Sequence, residues 1–93
     1  MTNQTFNSAF DALADTPAEA ANLKARSELL SVLKAHIRSW GVTQEAAAVR
    51  LGITRPRVSD LLMGKLGKFS LDALVNIAAE AGLSLEIRVA KAA

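Results

Sequence analysis

Side chains suited to contacting the edges of nucleotide bases fall within six consecutive positions, and they are Arg55, Pro56, Ser59 and Asp60. The guanidinium of Arg55 can donate two hydrogen bonds at once to the O6 and N7 acceptors of guanine. Ser59 can bond to several bases, and Pro56 can contact the methyl group of thymine. Asp60 can accept from the amino group of cytosine, or it can hold Arg55 or Arg57 in place. We expect Arg55 to be the main reader of base identity.

A second set of residues is suited to contacting phosphate groups, and it comprises Thr43, Gln44, Thr54, Arg57, Lys65 and Lys68. Gln44 is predicted at a helix N-terminus, where free backbone amides favour an anion. Lys65 and Lys68 come just after the base-contacting residues and can reach the flanking backbone. Phosphate contacts set affinity and salt sensitivity rather than sequence preference. The alternative, which applies most to Lys68, is ordinary surface charge on a solvated loop.

Two short predicted helices position these residues, one from the N-cap Thr43 to about Leu51 and one from Arg55 to about Met63. The turn between them, Gly52-Ile53-Thr54, supplies a helix-ending glycine, an apolar plug and a new N-cap. The residues expected to face the core are Ala46, Ala47 and Leu51 in the first helix and Val58, Leu61 and Leu62 in the second. This is the spacing of a helix-turn-helix, whose second helix lies in the major groove of DNA.

Two further helices flank this unit. A long helix is predicted from the N-cap Thr16 to near Trp40, where Gly41 can end it. Its apolar residues are Leu23, Leu30, Leu33, Ile37 and Trp40. After a basic loop at 64–68, which we expect to be flexible, Ser70 caps a fourth helix that ends at Gly82. The apolar face of this fourth helix comprises Leu71, Leu74, Val75 and Ala78.

The final segment changes to a period of two residues. Apolar Leu83, Leu85, Ile87 and Val89 alternate with mainly polar neighbours, which predicts a β-strand over 83–90 with one buried face. Nothing else in the sequence resembles a second strand, so we expect this one to pair with its counterpart in a second copy across a two-fold axis. These four residues would then form the dimer interface. The alternative is an extended tail that lies on the core without pairing.

Composition limits the possible classes of protein. The chain has 93 residues and no cysteine, which fits one small domain without disulfides or thiolate metal sites. No apolar run is long enough to span a membrane, and the N-terminus lacks the pattern of a secretory signal, so we expect a cytoplasmic protein, nucleoid-associated when bound to DNA. The net charge is −3 in residues 1–20 but +3 in each of 21–40 and 41–68. Positive charge therefore concentrates on the helix-turn-helix and the helix before it, as expected for a phosphate-facing surface.

The sequence also resembles a known family. The segment T-Q-E-A-A-A-V-R-L-G-I-T-R-P-R-V-S-D-L-L-M-G-K, followed by F-S-L-D-A-L, is similar to Xre/Cro-type helix-turn-helix proteins, and most closely to their HigA-like antitoxins. The resemblance extends from about Phe10 to Val89 and includes the terminal L-E-I-R-V. It implies a dimeric, five-helix-like domain of the lambda-repressor type that binds an inverted-repeat operator in double-stranded DNA. It also implies a repressor, often of its own operon, and often a partner toxin of the RelE/HigB ribonuclease type. Arg55 stands where glutamine is common, so the base preference of the family does not transfer.

An enzymatic role is not expected. The single histidine, His36, has no carboxylate within one helical turn to orient or activate it. Without a second histidine or any cysteine, neither a nucleophile–base pair nor a metal site can assemble. We therefore predict no catalytic residues, no metal and no cofactor.

A different class of function is an interaction protein whose main task is to sequester a partner. Residues 1–15 form an acidic N-terminal arm with Phe6, Phe10 and Leu13 at helical spacing, ahead of the domain at 16–93. An acidic arm would suit a basic, RNA-cleaving toxin. The alternative is that the arm covers the long helix, whose first half the helix-turn-helix cannot reach. A free-standing regulator without any toxin is a third possibility.

Overall fold

The computed structural model describes residues 15–92, so the predicted arm residues Phe6, Phe10 and Leu13 lie outside the described part of the chain. Four α-helices follow one another: α1 (Pro17–Ser39), α2 (Gln44–Leu51), α3 (Arg55–Leu62) and α4 (Leu71–Glu80). A short 3-10 turn, Leu66–Lys68, connects α3 to α4. The predicted mainly helical fold is therefore confirmed. None of the helices in the described part is long and apolar enough to cross a membrane.

Each helix begins after a hydroxyl residue, as the sequence predicts. The side chains of Thr16, Thr43, Thr54 and Ser70 each accept a hydrogen bond from the backbone N–H three residues on, at 3.1, 3.1, 3.3 and 3.1 Å. These bonds satisfy one of the free amides at each helix start, and a cap of this kind stabilises by about 1 kcal/mol. The local sequence therefore sets where all four helices begin.

The turn between α2 and α3 has the geometry that a helix-ending glycine provides. Gly52 has a φ of +67°, in the left-handed region that side-chain-bearing residues rarely adopt. The N–H of Ile53 reaches back to the carbonyl oxygen of Ala48 at 3.1 Å, which is the closing bond of a Schellman motif. Ile53 then packs against the core. The predicted order of glycine, apolar plug and N-cap is the order observed.

All four helices contribute to one hydrophobic core. Its buried members are Leu30, Leu33, Ile37, Ala47, Ala48, Leu51, Val58, Leu61, Phe69, Leu74, Ile77, Ala78 and Ala81. The apolar periodicity predicts most of this set, but α2 is rotated slightly from the expectation, since Ala48 is buried and Ala46 is exposed. Phe69 is only 1 % exposed. Sequence reasoning missed it because Phe69 lies between helices and belongs to no periodic stripe.

The predicted C-terminal strand is absent from the described residues. Residues 83–92 have neither helical nor strand structure. A strand is defined by ladder hydrogen bonds to a neighbouring strand, and residues 15–92 of a single chain offer no second one. Leu83 instead closes the turn after α4: its N–H donates to the carbonyl oxygen of Ala78 at 3.0 Å, and its side chain packs against the core.

Candidate nucleic-acid interface

The N-terminal end of α3 forms an exposed platform on the outside of the α2–α3 pair. Thr54, Arg55 and Pro56 are all exposed there. The side chain of Arg55 retains 63 % of its accessible surface. Val58 and Leu61 on the opposite face of α3 are fully buried and fix the rotation of the helix. The core thus holds α3 so that its first turn projects outward.

Arg55 is paired with an acid that sequence reasoning did not single out. Its guanidinium Nη1 donates to Oε1 of Glu45 over 3.5 Å. Glu45 lies in the first turn of α2, so the pair joins the starting turns of both helices. Both side chains are largely exposed, at 63 % for Arg55 and 75 % for Glu45. The contact is weak in free energy, because both groups are exposed to solvent.

Ser59 and Asp60 are less accessible than Arg55. Both are half-buried, and the Ser59 hydroxyl lies 3.7 Å from the sulfur of Met63. Asp60 Oδ1 is 3.2 Å from Nζ of Lys65, with 23 % of the Asp60 side chain exposed. The acid therefore pairs with Lys65, rather than with Arg55 or Arg57 as the alternative interpretation expected.

Arg57, one of the predicted phosphate contacts, is half-buried and engages neighbouring groups of the protein. Its guanidinium carbon lies 4.2 Å from the centre of the Phe69 ring, over the ring face. Its Nη1 donates to the carbonyl oxygen of Lys68 at 2.8 Å. The buried ring at position 69 provides a stacking surface that the sequence pattern does not reveal.

The basic loop after α3 is held by arginines from two helices. Arg26 Nη1, on α1, donates to the carbonyl oxygens of Leu66 and Phe69 at 3.2 and 3.1 Å. With the Arg57 bond to Lys68, three carbonyl groups within four residues are satisfied by guanidinium donors. The loop predicted to be flexible is thus tied to the domain. Arg26 lies three residues after Leu23 and four before Leu30, within the apolar stripe of α1. A charged residue in such a stripe is the sequence signal that could have indicated a structural role for Arg26.

The remaining predicted phosphate contacts lie at the start of α2 and in the loop after α3. Thr43 is exposed at the start of α2, and Gln44 beside it is half-buried. Lys68 is exposed, and Lys65 keeps 46 % of its side-chain surface despite its pairing with Asp60. The first turns of α2 and α3 and the loop after α3 therefore carry the polar groups that the sequence assigns to nucleic-acid contact.

His36 lies in the last turn of α1 and makes structural contacts there. Its Nε2 lies 3.1 Å from the carbonyl oxygen of Ala81, and its ring meets Trp40 edge to face with centroids 5.6 Å apart. Trp40 is half-buried and packs against the core, and the guanidinium of Arg50 covers its ring at 3.8 Å. Within residues 15–92, no group of three histidine, aspartate or glutamate side chains is close enough to hold a metal ion.

The chain belongs to a helix-turn-helix domain family, whose model matches residues 12–90. The matched region includes α1 to α4 and most of the segment after them. A comparison with curated proteins gave no match.

Proposed function

We propose that this protein binds double-stranded DNA as a sequence-specific transcriptional regulator, with α3 in the major groove. The observation that carries the proposal is the exposed first turn of α3, which offers Arg55 and Pro56 outward while Val58 and Leu61 anchor the helix in the core. In helix-turn-helix proteins the N-terminal residues of the second helix contact base edges. Membership of the helix-turn-helix family supports the same function.

Within this proposal Arg55 is the main base reader and Pro56 a secondary contact. Ser59 and Asp60 lie further along α3 and are half-buried, so their contribution to base contact is smaller. Thr43, Thr54, Gln44 and the two loop lysines approach the phosphates. Arg57 acts indirectly, by holding the loop that carries Lys68.

The test compares Arg55→Ala with the wild type on a duplex selected by the wild-type protein from a random library and on a shuffled duplex of the same composition. Loss of a bidentate contact to guanine weakens specific binding by about 1–3 kcal/mol. Binding to the shuffled duplex stays nearly unchanged. Equal losses on both duplexes would show that Arg55 does not read bases, and absence of any DNA binding by the wild type would refute the function itself.

A homodimer that represses transcription is the finer form of the proposal. Three apolar residues of the C-terminal segment keep much of their accessible surface: 43 % for Leu85, 79 % for Ile87 and 89 % for Val89. Beside them a groove of about 430 Å³ lies between α1, α4 and residues 85–88, with Val32 and Val75 in its wall. Apolar surface of this kind favours burial against a second copy. Two α3 helices in a dimer would read half-sites about 34 Å apart, so the operator should be an inverted repeat.

An antitoxin role is the second candidate, and the resemblance of residues 10–89 to HigA-like proteins supports it. The partner would be a RelE/HigB-like toxin, and an antitoxin of this kind can also repress. Co-expression with the product of the adjacent gene tests the assignment, with co-purification as the expected result. Loss of the complex on deleting residues 1–15 would assign the contact to the arm, and unchanged binding would remove the arm from the interface. If no complex forms, the protein is a free-standing regulator without a toxin.

A further inference from the structure

The ion pair between Arg55 and Glu45 assigns a role to an acid on the face proposed to approach DNA. Glu45 is 75 % exposed in its side chain and lies in the first turn of α2. Free backbone amides at a helix start favour an anion, and a phosphate group would be one. A carboxylate at this position opposes a phosphate there by repulsion. An exposed acid on a face that approaches DNA repels the phosphates and weakens binding.

We propose that Glu45 is a specificity-determining residue that directs Arg55 toward base edges and against phosphates. This inference rests on the proposed function. The guanidinium has five N–H donors. The bond from Nη1 to Glu45 engages one of them, and four remain, enough for the bidentate contact that guanine requires. Arg55 can therefore keep Glu45 while it reads a base.

A phosphate contact by Arg55 is different, because it moves the guanidinium toward the DNA backbone. In that position the Glu45 carboxylate either loses its partner or stays beside the phosphate and repels it. Both outcomes raise the free energy of the non-specific complex more than that of the specific complex. Glu45 thus increases the ratio of specific to non-specific affinity, although it adds negative charge to a DNA-binding face.

No other acid in the described residues is paired with Arg55. Asp60, the other acid of the α2–α3 unit, pairs with Lys65 at 3.2 Å. Glu45 and Asp60 therefore act on different cations.

The experiment measures the affinities of Glu45→Gln for the selected duplex and for a shuffled duplex across a series of salt concentrations. The glutamine keeps the size of the side chain and removes its charge. Affinity for the shuffled duplex should rise by about threefold to tenfold, and its salt slope should steepen by about 0.9, as expected when one more phosphate is neutralised. Affinity for the selected duplex should rise less, so the specificity ratio falls.

Glu80→Gln is the matched control, because it removes the same charge from an exposed position at the end of α4. The double variant Glu45→Gln with Arg55→Ala tests whether the effect passes through Arg55, and the change in ratio should disappear in that background. The inference would be overturned if Glu45→Gln had the same specificity ratio as Glu80→Gln. It would also be overturned if Glu45→Gln changed the specificity ratio in the Arg55→Ala background. Wild-type protein that fails to bind either duplex would refute the proposed function instead.

Discussion

At the scale of the residue, the surroundings of each arginine decide its role. Arg55 and Arg57 are two positions apart, and both belong to the basic segment around α3. Arg55 projects from the surface and meets only an exposed acid. Arg57 stacks on a buried aromatic ring and donates to a backbone carbonyl. Their formal charges are equal, but one is available for a ligand and the other maintains the loop.

Arg57→Ala should destabilise the fold more than Arg55→Ala. The first substitution removes a charged hydrogen bond to Lys68 and a stacked cation from Phe69, and we expect a loss of about 2 kcal/mol in the free energy of unfolding. The second breaks an exposed ion pair, which costs roughly 0–1 kcal/mol. Urea denaturation followed by circular dichroism measures both. Similar losses for the two variants would contradict the structural role of Arg57.

At the scale of the element, the helix-turn-helix depends on one backbone conformation. Gly52 ends α2 in the left-handed region, and Thr54 caps α3 two residues later. The residue between them, Ile53, is thereby directed into the core. The angle between α2 and α3, and with it the distance between Glu45 and Arg55, follows from this turn.

Gly52→Ala should lower the free energy of unfolding by about 1–2 kcal/mol, because an added Cβ strains the left-handed conformation. No heavy atom lies within 4 Å of the Cβ position, so a clash does not contribute. Gly67→Ala is the matched control: its surroundings are equally open, and its φ lies outside the left-handed region. We expect Gly67→Ala to change stability by less than about 1 kcal/mol. Equal effects in thermal unfolding would show that the conformation of Gly52 is not the cause.

At the scale of the whole molecule, the described chain leaves apolar surface uncovered on the side formed by α1, α4 and the C-terminal segment. Leu85 and Val32 line two adjoining grooves of about 430 and 330 Å³. Ile87 and Val89 extend this surface. A second copy of the chain that covered this apolar surface would give a dimer with two α3 helices. An inverted-repeat operator requires two such helices.

Ile87→Glu should dissociate the proposed dimer. A charge placed in an apolar interface must be desolvated, and we expect the dimer dissociation constant to rise by about a hundredfold or more. Folding should be unaffected, because Ile87 is 79 % exposed in the single chain. Sedimentation equilibrium measures the mass of the protein in solution and so distinguishes the dimer from the monomer. Val49→Glu is the control, since Val49 is an exposed valine on α2 at 84 %. A monomeric wild type, or a dimer that tolerates Ile87→Glu, would exclude an interface at this segment.

Much of this protein was determined by local sequence. Hydroxyl caps set where the helices begin, left-handed glycines such as Gly52 set where they end, and apolar spacing selected most of the core, because these effects act within a few residues. Arg55 and Pro56, the predicted base contacts, lie at an exposed helix start because the Thr54 cap and the apolar spacing of α3 set where this helix begins and which face it buries.

Contacts between residues distant in sequence required the tertiary structure. The stacking of Arg57 depends on a ring twelve residues away, and the basic loop is held by Arg26, forty residues before it. The pairing of Arg55 with Glu45 depends on the angle between two helices. The period of two at residues 83–90 indicated a strand, but alternation encodes only which side of a segment is apolar. A strand forms only beside a partner, and partners are decided by packing in three dimensions.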